Sequence, residues 1–92
     1  MATKTFKIGE SSRGGVITAE VKGNKVTVIF KSWNWYDRNA SKAVEYNRIE
    51  VDATSNFAQR NLFFELTDDT TAYWADTVIE WIKTKVKFNH AW

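Results

Sequence analysis

Gly15-Val16-Ile17-Thr18-Ala19-Glu20-Val21-Lys22-Gly23-Asn24-Lys25-Val26-Thr27-Val28-Ile29-Phe30-Lys31-Ser32-Trp33 is the stretch that decides the fold. Two β-rich runs, Gly15 to Lys22 and Lys25 to Trp33, flank Gly23-Asn24. Glycine followed by asparagine is a two-residue hairpin signal, because glycine accepts the positive φ of a primed turn. The turn sets the register: Lys22 faces Lys25, Val21 faces Val26, Ala19 faces Val28 and Ile17 faces Phe30. The apolar pairs share one face. Glu20 with Thr27, Thr18 with Ile29, and Val16 with Lys31 share the other. A slip of one residue would mix the faces, so the register is strongly specified.

Outward from this hairpin, Thr3 to Gly9 alternates and predicts a strand, with Phe6 and Ile8 opposite Thr5 and Lys7. The link Glu10-Ser11-Ser12-Arg13-Gly14 is polar and glycine-bearing and reads as a loop. Tyr46 to Asp52 alternates again, with Asn47, Ile49 and Val51 against Arg48 and Glu50, and a helical turn through Lys42 to Asn47 leaves its start open. Asn61 to Leu66 reads as a further strand, with Leu62, Phe64 and Leu66 inward. The C-terminal segment carries Ala72, Ala75, Val78, Ile79, Ile82 and Val86 at helical spacing. Thr67-Asp68-Asp69-Thr70 offers N-caps, and Lys83, Lys85 and Lys87 follow at the positive-preferring end. Trp74 and Trp81 edge the helix stripe, where they fill its flank against a sheet or dock a second copy.

The expectation is one α+β domain over residues 1–92: a meander-like antiparallel sheet of about five strands with one C-terminal helix on one face. One helix covers one face, leaving the other for solvent or a ligand. In order of elements alone, a curved antiparallel sheet followed by a helix resembles the coactivator-type and whirly-type single-strand binders.

The 92 residues are 43% hydrophobic and 15% aromatic, too rich for a disordered chain. The absence of cysteine excludes a disulfide scaffold and most structural zinc sites. No apolar run approaches a membrane span, and no apolar segment follows Lys4 as in a signal peptide, so the expected setting is cytoplasmic.

Catalytic groupings are sparse. His90 is the one histidine, in the segment Phe88 to Trp92, and has no cysteine to share a metal. Glu50 and Asp52 project from one strand face but lack a third ligand. The loop from Gly9 to Gly15 is not a P-loop, since it lacks the terminal Gly-Lys-Ser/Thr. The sequence therefore predicts no enzyme, no cofactor and no metal.

Charge layout is more informative. Met1 to Arg48 holds nine basic and four acidic residues, whereas Ile49 to Ile82 holds one basic and seven acidic. Lys7, Lys22, Lys25 and Lys31 share the hairpin's second face with Trp33. Trp35 shares that parity if the strand continues, and Tyr36, Arg38 and Lys42 follow, with Arg13 in the earlier loop. Cations that track phosphates beside flat rings that stack on bases suit single-stranded nucleic acid. The alternative is a protein-interaction module, an inhibitor, adaptor or assembly subunit, using the Trp33-to-Arg38 segment and a sheet edge. Tryptophan, tyrosine and arginine dominate interface hot spots. A homodimer through Trp74 and Trp81 is compatible with either reading.

Overall fold

The computed structural model describes residues 1–8, 14–33, 44–68 and 74–89. Four strands, β1 (Ala2–Ile8), β2 (Gly14–Lys22), β3 (Lys25–Trp33) and β4 (Val44–Asp52), precede two helices, α1 (Ala58–Asp68) and α2 (Ala75–Lys83). The sheet is an antiparallel meander in the order β1-β2-β3-β4. The class is α+β, as the alternation implies. The count differs, with four strands and two helices in place of about five strands and one.

The hairpin register is the predicted one throughout, from Lys22 opposite Lys25 to Val16 opposite Lys31. Gly23 has φ +61°, and Asn24 is not among the residues with positive φ. A positive φ at the first central position alone is the type II′ pattern, the one that favours glycine there.

Asn61 to Leu66 is not a strand but the body of α1. Leu62 and Leu66 are fully buried as predicted, but Phe64 is 45% exposed. The ambiguity is arithmetical: positions four apart satisfy both a two-residue and a helical period. Buried Ala58, four residues before Leu62, extends the series, and exposed Phe64, which a two-residue period would bury, breaks the strand pattern. Thr67 and Asp68 consequently finish α1 instead of capping the C-terminal helix. α2 starts after Trp74 with no side-chain cap. It ends at Lys83, so Lys85 and Lys87 lie beyond it. Asp69 and Thr70 lie outside the described residues.

Both helices cover the same sheet face. One core joins Phe6, Ile17, Ala19, Val21, Val26, Val28 and Phe30 to Ala58, Leu62 and Leu66 of α1 and Ala75, Val78, Ile79 and Ile82 of α2. The turn after β4 locks the layers together. The buried Ala53 donates its N–H to the Asn24 carbonyl (2.7 Å), and its own carbonyl accepts the Asn89 N–H (3.1 Å). Asn89 also donates its side-chain amide to the Thr54 carbonyl (3.3 Å), and Phe88 beside it is buried in the core. The segment after α2 is thus tied back beneath the sheet. His90 lies outside the described residues.

Candidate binding surfaces

The face opposite the helices is built from residues of one parity. Across the sheet, Thr3, Glu20, Thr27 and Glu50 form one row. Thr5, Thr18, Ile29 and Arg48 form the next, and Lys7, Val16, Lys31 and Glu45 the third. Lys22, Lys25 and Asp52 close the turn end. Lys7, Lys22, Lys25 and Lys31 therefore share one face, as the sequence predicts. Trp33 ends β3 opposite Gly14. Arg13, Trp35, Tyr36, Arg38 and Lys42 lie outside the described residues.

β4 adds what the hairpin alone does not reveal. Between Phe30 and Lys31 the β3–β4 register shifts: Phe30 faces Asn47, but Lys31 faces Glu45, leaving Tyr46 as an extra residue. Its ring lies 6.2 Å from that of Phe30. In an unbroken strand, residues three apart point to opposite faces. The bulge returns Glu45 to the face of Arg48, where the two form a paired contact of 2.7 and 3.3 Å. The hydrogen bond from Arg48 holds the Glu45 carboxyl below its ordinary range, and Glu45 in turn raises Arg48. Lys25 lies 3.6 Å from Glu50. Among the described residues, the cations Lys7, Lys22, Lys25, Lys31 and Arg48 thus face the carboxylates Glu20, Glu45, Glu50 and Asp52. The surface is close to charge balance. A shallow depression of about 220 Å³ has Thr27 among its lining residues, with Glu20, Lys22, Lys25, Arg48 and Glu50.

Asp52 and Glu50, side by side in the sequence pattern, are engaged separately. Asp52 accepts from the Thr54 N–H (2.8 Å) and hydroxyl (2.6 Å), an Asx turn that lowers its pKa and starts the connection to α1. No group of three metal-ligating side chains occurs among the described residues. No helix among them is long and apolar enough to cross a membrane.

Trp74 and Trp81 are half-buried and pack on the core. The Trp81 ring meets that of Phe6 edge-on at 6.4 Å. Lys4 lies 5.5 Å from the Phe6 ring and Lys85 lies 5.9 Å from the Trp81 ring. These contacts place Trp81 along the flank of α2 beside β1.

A third surface escapes sequence reading. Phe57, the residue before α1, falls at helical spacing with Arg60 and Phe64 on it. Phe57 is 50% exposed and Phe64 45%. The Arg60 guanidinium sits 5.6 Å from the Phe57 ring and 5.3 Å from the Phe64 ring, between the two. Phe57 holds φ +63°, the one positive φ among the described non-glycine residues. It accepts the first helical hydrogen bond, from the Asn61 N–H (2.8 Å). A left-handed conformation costs an aromatic residue on the order of 1–2 kcal/mol. The spacing of these three residues was visible in the sequence, but it carries meaning only once the segment is helical.

No family model, no curated protein and no solved structure matches the chain. The fold and these surfaces define a two-layer α+β fold with an open face close to charge balance among the described residues and an arginine clamped between exposed phenylalanines.

Proposed function

We propose that this chain is a non-enzymatic protein-interaction module whose contact surface is Phe57, just before α1, with Arg60 and Phe64 on it. The observation that supports it is the exposed pair of rings holding Arg60 between them. Arginine is among the residue types that concentrate binding energy at interfaces, and phenylalanine is enriched there. Arg60 has no ion pair among the described residues, so its charge is available to a carboxylate. The partner that fits is an apolar segment bearing an acidic residue. Stacking fixes the guanidinium before binding, which lowers the ordering cost of the contact.

Single-stranded nucleic acid binding is the second reading. Lys22 and Lys25 adjoin at the turn, and Lys7 and Lys31 share their face, which favours it. The interleaved carboxylates weigh against it, since backbone tracking needs an excess of cations.

One experiment separates the two. A photocrosslinking residue replaces Phe64 in one sample and Lys22 in another, and both are irradiated in cells. The protein reading expects one partner captured through position 64 and lost when Arg60→Ala is added. Fluorescence titration with a homopolymeric oligonucleotide runs in parallel at two salt concentrations. Salt-sensitive binding abolished by K22E/K25E, with no saturable adduct at position 64, overturns the protein reading in favour of nucleic acid.

A further inference from the structure

β4 is an edge strand: β3 flanks it on one side, and no described strand flanks it on the other. Its backbone phase follows from the hairpin. Lys22 and Lys25 bracket a two-residue turn and form a hydrogen-bonded pair. Alternation then turns the amides of Val26, Val28 and Phe30 toward β4. Their register partners Val51, Ile49 and Asn47 therefore direct their amides inward. The Ala53-to-Asn24 hydrogen bond continues the same phase. Arg48 and Glu50 are left with N–H and C=O groups pointing out from the edge, where the Arg48 N–H donates to the Asn47 Oδ1 (2.9 Å), and both side chains are exposed.

We propose that β4 pairs antiparallel with β4 of a second copy of this chain, about a twofold axis at Ile49, joining two four-stranded sheets into one. In that register Arg48 lies opposite Glu50 of the second copy and Glu50 opposite its Arg48. Both are hydrogen-bonded pairs formed from the outward-pointing amides, with the Arg48 N–H exchanging the Asn47 Oδ1 for the Glu50 carbonyl of the second copy. Ile49 meets its own counterpart in the closer, non-hydrogen-bonded type of pair. Asn47 meets Val51. Ile49 and Val51 are half-buried on the core side, so the joint buries the remainder of both. An axis perpendicular to the sheet keeps both helix layers on one side. Moving it by one residue sets Arg48 against Arg48 or Glu50 against Glu50, and like charges directly opposite destabilise a ladder. The existing pairs, Lys25 with Glu50 and Arg48 with Glu45, then extend across the joint as an alternating row. A short charged edge can also serve to discourage strand pairing. Here the charges alternate so that they oppose unwanted registers and complement this one.

Analytical ultracentrifugation over a wide concentration range tests this. The wild type is expected to pass from monomer to dimer. R48E places two carboxylates opposite each other in both pairs, and E50R does the same with two cations. Each is expected to weaken the dimer at least about tenfold. The double variant R48E/E50R restores both pairs with signs exchanged and recovers association. Circular dichroism verifies that each variant is folded. Amide hydrogen exchange at Arg48 and Glu50 is expected to slow as concentration rises. A wild type that stays monomeric with concentration-independent exchange overturns the proposal. So does a dimer indifferent to R48E and E50R.

Discussion

The two faces of the sheet are made by the same strands and held in different ways. On the helix side, Ile17, Ala19, Val26, Val28 and Phe30 are completely buried, and every lateral neighbour on β2 and β3 is apolar. On the open side, Val16, Thr27 and Ile29 are nearly as buried. Each lies beside longer side chains: Lys7 and Lys31 beside Val16, Glu20 and Glu50 beside Thr27, and Arg48 beside Ile29. Long charged side chains carry aliphatic stems that cover shorter neighbours while the heads stay in water. The helix side is therefore stabilised by area removed from water. The open side keeps a polar exterior over a thin apolar floor, and its charges set what the surface can meet.

Substitutions can break this contrast in order of size. Phe30→Ala empties a fully buried site in the core that both helices share and is expected to remove about 3–5 kcal/mol, a large part of the stability of a domain this small. Urea denaturation measures it. Phe88→Ala, at the segment tied to Ala53, is expected to cost about 3 kcal/mol by the same measurement. A smaller loss there would mean that the hydrogen bonds of Asn89 hold the segment unaided. Gly15→Ala brings a Cβ within 2.8 Å of the Lys31 carbonyl oxygen. Backbone against backbone cannot yield by rotation, so a loss of about 1–3 kcal/mol is expected.

Phe57→Gly sharpens the contrast between holding the fold and binding. It relieves the positive φ while deleting a ring, so it is expected to be more stable than Phe57→Ala by about 1 kcal/mol. Both are expected to lose partner capture equally. The smallest effect belongs to the open face. Asp52 has a lowered folded pKa, so its contribution is present above its unfolded pKa and fades as pH falls through the folded value. The stability gap between wild type and Asp52→Asn is expected to be full at neutral pH and to close in acid. Urea melts across that range measure the gap, and one that widened in acid would contradict the hydrogen bonds from Thr54.

Much of the fold is legible in the residues of the central hairpin. Gly23 permits the turn, and strict alternation then admits one register. The inward face of β1 around Phe6 and the buried stripe of α2 follow from the same kind of periodicity. The segment from Asn61 to Leu66 misleads because Leu62 and Leu66 satisfy two periods at once. That error hides the alignment of Phe57, Arg60 and Phe64. The cations on the open face are legible one by one, but their neutralisation is not. It depends on which strand lies beside β3 and on the single extra residue, Tyr46, that turns Glu45 to the side of Arg48.

Sequence by itself determined the hairpin, its register and its apolar face, because turn geometry and alternation act between residues close along the chain. Tertiary structure alone decided that α1 is a helix, that the open face is balanced, and that β4 is an edge with Arg48 and Glu50 turned outward. Those outcomes depend on pairing and packing between residues distant in the chain, where local patterns leave more than one arrangement open.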